Sequence, residues 1–325
     1  MKLHEDTDLF KQAVTAASQL KKIPESYIEK DYWITYILKH IFNSEFSDDA
    51  VFKGGTSLEK CYKLIDRFSE DIDIILIRKD GETDAQMTKK LRKISKMVSD
   101  LIPETEIGNV TNKRGRIRKT AHNYNRIYKE DLGQVRNSII LEVTWFGNAE
   151  PFIEKKVSCY IEEMMKDKGQ TELIERYELK PFTVQALSVY RTLCEKIMSL
   201  VRFSRQENPY EDLGFKVRHI YDLYMMLKNT EIDKFFNCDN FDTTIQEVGR
   251  EDLISFNNNN KWLNEHPSKA IIFSEPEQTW EIIRNTYTGT FIGLVMGDLP
   301  DEYDLISMLK KIHSRLSEIE WHISL

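Results

Sequence analysis

A chain of 325 residues with 41% hydrophobic, 11% aromatic and 30% charged side chains can build a sizeable core, and its length favours two domains. No apolar run approaches the ~20 residues that a bilayer-spanning helix needs, and the acidic start MKLHEDTDLF lacks the apolar segment of a signal peptide, so the expected compartment is cytoplasmic. A net charge of −7 argues against a general nucleic-acid coat protein. The four cysteines (Cys61, Cys159, Cys194 and Cys238) are scattered without a C-x-x-C pair, which suits reduced thiols better than a disulfide framework or a zinc site.

Residues 6–22 and 24–43 have helical character. In the second span Tyr27, Ile28, Tyr32, Ile34, Ile37, Leu38 and Ile41 recur at helical spacing, and Pro24 suits a first helical position. Next come the apolar Ala50-Val51-Phe52, two glycines, a short helix and the apolar run Ile72–Ile77. A polar helix over 84–100 and a strand over Ser138–Trp145 follow. Strands interleaved with helices predict a mixed core. From Pro181 the pattern is almost wholly helical, with helices at 183–204, 213–228, 276–296 and 301–320 and a loop at Asn257–Asn260. The expected division is an N-terminal domain over 1–180 and a helical domain over 181–325. Between Thr111 and Lys129 lie seven Lys/Arg and no acid: Lys113, Arg114, Arg116, Arg118, Lys119, Arg126 and Lys129. Such a strip is either a solvated hairpin or a dock for a polyanion. Tyr124 and Tyr128 within it are placed to stack on unpaired bases.

Thr56-Ser57-Leu58-Glu59 has the form of a capping box, which sets Gly54-Gly55 just before a helix N-terminus. Glycine there permits close backbone approach to a ligand, and first-turn N–H groups attract phosphate. By itself the pair is equally a tight strand-to-helix turn. Asp71 and Asp73 sharpen the reading, because on a strand they share one face with Ile75 while Ile72, Ile74 and Leu76 share the other. Two carboxylates ~7 Å apart on one face repel unless something neutralises them. Mg²⁺ does so through one or two carboxylates together with substrate phosphates. Glu142, on the second strand, either completes a metal cluster or accepts a proton from an attacking hydroxyl, or else is a salt-bridged surface residue. A Walker loop, a D-x-D-x-T phosphatase motif (Ile75 stands where its Thr would be) and the kinase motifs are all missing.

FKGGTSLEKCYKLIDRFSEDIDIIL (52–76) resembles the signature of the AbiEii/AbiGii-type nucleotidyltransferase toxins, of the DNA polymerase β-like superfamily. IPESYIEKDYWITYIL (23–38), LCEKIMSLVRFS (193–204) and VRHIYDLYMML (217–227) are similar to its N-terminal helix, its Lys-bearing helix and its R-D-x-x-D helix. The resemblance implies an α+β fold: a polymerase β-like core, a mixed sheet with flanking helices, followed by a helical domain. It further implies that Gly54, Gly55, Thr56 and Ser57 hold an NTP triphosphate. Asp71 and Asp73 would bind Mg²⁺ or Mn²⁺, Lys196 and Arg218 would serve the nucleotide, and Asp222 would be an essential acid. His219 departs from the pattern, which has Asp there. From residues alone, Arg218 and Asp222 are only an i,i+4 surface pair, and Lys196 a lysine reaching out of an amphipathic helix.

The expectation is a metal-dependent nucleotidyltransferase moving an NMP from an NTP to an acceptor hydroxyl, as the toxin of a toxin–antitoxin or abortive-infection system with a cognate antitoxin. The acceptor expected is RNA, at a tRNA acceptor end, docked through Lys113, Arg114, Arg116, Arg118 and Lys119. The alternatives are a protein side chain as acceptor, or a silent NTP- or RNA-binding regulator.

Overall fold

Seven short segments rich in β-branched and aliphatic residues pair into one sheet. A computed structural model describes residues 1–113, 115–129, 135–145, 147–256 and 259–323. The chain divides into two units, Met1–Lys63 with Phe68–Leu187, and Leu64–Arg67 with Ser188–Leu325. The first unit holds the sheet: β1 (Ala50–Lys53), β2 (Asp71–Leu76), β3 (Glu104–Thr105), β4 (Ile117–His122), β5 (Ile139–Thr144), β6 (Phe152–Val157) and β7 (Phe182–Leu187). Their order is β3-β4-β5-β2-β1-β7-β6. β2 runs parallel to β5 and β1 parallel to β7, whereas β1/β2, β4/β5, β3/β4 and β6/β7 are antiparallel. This is the expected α+β architecture.

The helices of this unit are α1 (Thr7–Lys21), α2 (Glu25–Phe42), α3 (Gly54–Lys60), α4 (Asp84–Leu101), α5 (Tyr160–Asp167) and α6 (Thr171–Arg176). Asp6 caps α1 by accepting from the Leu9 N–H at 3.2 Å, and Thr83 with Gln86 forms a full capping box on α4. Pro24 is the N-cap of α2, one position ahead of expectation. Ile28, Tyr32, Ile34, Ile37, Leu38 and Ile41 of α2 are all fully buried. So, against the usual rule for charged residues, are Glu29, Lys30 and Asp31. Each is satisfied: Glu29 accepts from the N–H groups of Ile127 (2.7 Å) and Tyr128 (3.1 Å), Lys30 pairs with Glu70, and Asp31 pairs with Lys60.

The capping box expected at Thr56 does not form. The helix starts three residues earlier, at Gly54, with Lys53 as an N-cap that makes no side-chain capping bond. The Thr56 hydroxyl instead donates to the Asp71 carbonyl at 2.5 Å and meets the Ser69 hydroxyl at 2.9 Å, tying α3 to β2. Glu59 takes the Tyr160 hydroxyl as its partner. The helix expected over 183–204 is also two elements. Phe182, Val184 and Ala186 are buried while Thr183 is exposed, a period-2 stretch that joins the sheet as β7 before the helix begins.

The second unit is helical, with α7 (Val189–Phe203), α8 (Pro209–Gly214), α9 (Val217–Leu227), α10 (Thr230–Phe236), α11 (Asp239–Ser255), α12 (Ile271–Ser274), α13 (Pro276–Asn285) and α14 (Glu302–Ser317). Ser188, Asn229 and Asp301 cap α7, α10 and α14. The expected 213–228 helix is interrupted between α8 and α9. The one expected at 276–296 ends at Asn285, giving way to a π turn and a 3-10 turn. Of the loop expected at Asn257–Asn260, the first two residues lie outside the described residues. Leu64–Arg67 is held in this unit: the Asp66 carbonyl accepts the Met296 N–H at 2.8 Å, and Arg67 bridges to Val295. No helix among the described residues is long and apolar enough to cross a membrane.

Ile74, fully buried at the centre of β2, carries the apolar face that seats this strand. Ile74→Ala is expected to cost ~2–5 kcal/mol of stability by lost burial and a residual cavity, measured by urea unfolding.

Candidate active site

The strand pairing lines up four charges across the sheet. In register, Lys53 of β1 faces Asp73 of β2, Asp73 faces Glu142 of β5, and Glu142 faces Lys119 of β4. Directly paired residues project from the same face, so one row carries cation, carboxylate, carboxylate, cation. Asp71, two residues before Asp73, joins the same face as the alternation requires. The outer cation closes on its neighbour: Lys119 Nζ lies 3.1 Å from Glu142 Oε2. Glu142 thus stands beside Asp73 and is salt-bridged, the second of the two alternatives weighed for it.

The glycine turn is shaped around Asp73. Gly54 has φ +80°, a left-handed conformation that L side chains rarely adopt, and a Cβ built on it would stand 2.2 Å from Asp73 Oδ2. Both the backbone angle and the carboxylate therefore demand glycine here. Thr56, as described, anchors the other side of the turn to Asp71. The Ser57 hydroxyl is buried beside the Cys61 thiol. The turn is thus tied to β2 at the Asp71 carbonyl and shaped sterically around Asp73.

Burial, then the charges of Glu142 and Asp71, push the Asp73 carboxyl up to about 7, with Lys53 and Lys119 offsetting this only in part. Asp71 is differently placed: Arg136 Nη1 sits 3.3 Å from its Oδ1. Among the described residues no group of three or more His, Cys, Asp or Glu side chains converges as a metal cage. What the site offers instead is two hard-oxygen carboxylates, of which Asp73 keeps its proton until about pH 7 for want of sufficient counter-charge. That fits a cation completing its shell with phosphate and water oxygens.

A second charged cluster is buried in the helical unit. Asp222 of α9 is fully buried. Arg67 grips it with two nitrogens, Nε at 2.7 Å and Nη2 at 2.8 Å, and Lys196 Nζ of α7 adds a third bond at 2.7 Å. Burial alone would raise this carboxyl; the charges and hydrogen bonds of Arg67 and Lys196 outweigh it and bring it down to about 2. Burial moves Lys196 below its usual value despite Asp222. The surface pair expected of Asp222 is therefore a buried triad, and sequence reasoning missed its strongest member. Arg67 lies 155 positions from its partner, beyond the reach of any local spacing rule. His219 is pushed well below its ordinary value by burial and by Lys196, Lys216, Arg218 and Arg67, and its Nδ1 is buried without a hydrogen-bond partner. An aspartate at this position would add a negative charge among four cations; neutral histidine does not.

The basic strip is not a uniform free surface. Lys113 pairs with Glu104, Lys119 with Glu142, and Arg126 bonds the Asn137 side chain. Arg116 approaches Asp84 at 3.8 Å and stacks 4.8 Å from the Trp145 ring. Arg118 is half-buried and Lys129 exposed; Arg114 lies outside the described residues. Tyr124 is buried with its ring 5.8 Å from that of Trp33, so it cannot stack on a base as expected, and the Tyr128 hydroxyl meets Thr15 at 3.1 Å.

A family model described as nucleotidyl transferase AbiEii toxin, type IV TA system, matches residues 36–306. The chain belongs to this family. It is accordingly a nucleotidyltransferase of the toxin–antitoxin class. No curated protein matches the chain significantly. Among the solved structures that it resembles is the nucleotidyltransferase toxin MenT4 from Mycobacterium tuberculosis H37Rv, at 15% identity and a TM-score of 0.52, over 94% of this chain and 90% of that one. At that identity the likeness concerns the fold. The AbiEii-family match spans the glycine turn, both aspartates, Glu142, Lys196 and Asp222.

Two outcomes are expected of this nucleotidyltransferase. Asp73 ionises near pH 3.8 in the unfolded chain but near 7 in the folded one. It is neutral to stability below about pH 4, stability falls as pH rises from about 4 to 7, and the penalty is constant above. Asp73→Asn should therefore stabilise the metal-free protein at pH 8, by up to about 4 kcal/mol, seen as a higher melting temperature, with little change at pH 4. Asp222→Ala removes the carboxylate shared by two buried cations and is expected to cost ~3–5 kcal/mol, so its activity must be measured alongside its unfolding curve; His219→Ala should be far milder in both.

Proposed function

We propose that the chain transfers a nucleoside monophosphate from an NTP to a hydroxyl of RNA, at a tRNA acceptor end, and that a cognate antitoxin restrains it. The observation carrying this reading is the row Lys53–Asp73–Glu142–Lys119 with Asp71 alongside, abutting a glycine turn that leaves no room for any side chain at position 54. Clustered carboxylates at a cost to stability are what a cation-dependent site requires and a structural site does not.

In this reading Asp71 and Asp73 hold Mg²⁺ or Mn²⁺, which when bound supplies Lewis-acid stabilisation of charge on the transferred phosphoryl group. The backbone of Gly54–Ser57 receives the triphosphate, with Gly54 permitting the approach. Glu142, held by Lys119, accepts the proton of the attacking hydroxyl. In the helical unit, Asp222, itself gripped by Arg67, fixes the Lys196 ammonium; a role for Lys196 and Arg218 toward the nucleotide is what the family resemblance implies. The Arg67–Lys196–Asp222 triad carries one surplus positive charge, which suits a phosphate.

One observation favours the second reading, a protein hydroxyl as acceptor: four cations of the basic strip already have partners within the chain. The two are separated by incubating the protein with each labelled NTP, Mg²⁺ and total cellular RNA, then with total cellular protein. Label is expected in the tRNA band, falling by ~10²-fold or more in Asp71→Asn. Label confined to protein would overturn the RNA acceptor, and no transfer to either would overturn the reading as a whole.

A further inference from the structure

Asp71 is approached by a cation that itself has an unusual support. Lys30 Nζ, fully buried, meets three acceptors: a Glu70 carboxylate oxygen, the Arg136 carbonyl at 2.6 Å and the Ser138 carbonyl at 3.0 Å. Glu70 is buried too, and it grips Arg136 twice. Its Oε2 accepts the Arg136 backbone N–H at 2.9 Å, and its Oε1 lies 3.3 Å from Arg136 Nη1. The same Nη1 lies 3.3 Å from Asp71 Oδ1. A buried lysine thus fixes a buried glutamate, the glutamate fixes both backbone and guanidinium of Arg136, and the guanidinium reaches the aspartate. The far end is open to water, since the Arg136 side chain is 39% exposed and that of Asp71 26%.

Two buried ionic residues are costly to hold, and a surface arginine does not need them. Their joint effect is to pin one guanidinium against the oxygen that a cation would take. The carboxylates of Asp71, Asp73 and Glu142 repel one another, and a fixed positive charge at the first of them relieves that repulsion while no metal is bound. The contact itself is long, 3.3 Å at a half-exposed site, so it is weak enough to exchange.

We propose that Arg136 is a positioning residue, an internal counter-ion that holds Asp71 in the cation-free protein and yields its Oδ1 when a divalent cation binds. This rests on the reading of Asp71 and Asp73 as metal ligands. Arg136 therefore competes with the metal. Lys30 and Glu70 set how strongly it competes, because they hold the guanidinium within reach of the aspartate.

The test is Mn²⁺ binding to the full chain without nucleotide, followed by the paramagnetic resonance signal of free Mn²⁺, with a melting curve for each variant with and without the ion. Arg136→Gln should lower the metal-free melting temperature yet tighten Mn²⁺ binding about tenfold, because a competing charge ~5 Å from the ion is gone. Loss of a merely structural residue would weaken binding instead. Arg136→Lys keeps a charge but not the fork that spans Glu70 and Asp71, and should fall between wild type and Arg136→Gln. Unchanged or weaker Mn²⁺ binding by folded Arg136→Gln overturns the proposal. Should that variant not fold, Arg136→Lys decides, and binding no tighter than wild type overturns it. Asp71→Asn separates the two levels. If it binds Mn²⁺ like wild type, the ligand assignment falls and this proposal with it; if it loses binding while Arg136→Gln shows no gain, the counter-ion role alone falls.

Discussion

Two carboxylates on adjacent strands, Asp73 and Glu142, face each other in register with a third, Asp71, two residues away on the same face. Water-exposed carboxylates would tolerate this; partly buried ones do not. The surrounding structure answers that repulsion at every point. Lys53 and Lys119 flank the row, Arg136 sits at Asp71, and Asp73 keeps a proton up to about pH 7. What stays uncompensated is concentrated at one residue, beside the turn where a side chain has no room.

The same logic governs the buried interior. Lys30, Asp31, Lys60, Glu70, Arg67, Lys196 and Asp222 are all buried, and each has a partner of opposite sign. Buried pairs add little net stability compared with apolar residues of the same shape. Their contribution here is orientation: Glu70 aims Arg136, and Arg67 with Lys196 holds Asp222 ionised. In the first unit these pairs tie α2 and α3 to the strand carrying the aspartates and its neighbours. In the second they tie α7 and α9 to the short Leu64–Arg67 segment.

Membership of the AbiEii nucleotidyltransferase toxin family and a charge row of this kind bear on different questions. The first gives the class of reaction. The second bears on how the chain tolerates the clustered charge of its candidate site, and why substitutions there should shift stability in directions opposite to ordinary core changes. Removing a carboxylate from the row relieves strain, whereas removing Asp222 from its triad creates it. A basic strip whose cations largely have partners within the chain is likewise part of the fold's own electrostatics.

Much was legible in the sequence because it depends on local periodicity. The helices α1, α2, α4, α7 and α14, the strands β2 and β5, and the shared face of Asp71 and Asp73 all follow from spacing along a few residues. The glycine turn was visible too, but not its cause, since the carboxylate that excludes a Cβ at Gly54 comes from another strand. Tertiary structure alone decided the rest. It joined Phe182–Leu187 to the sheet, set Glu142 beside Asp73, moved Asp222 from a helix surface to a buried triad with Arg67, and gave Arg136 its place at Asp71. Each of these depends on strand register or on residues tens to more than a hundred positions apart, and the strength of such a pair is set by distance and burial in space, neither of which a linear spacing contains.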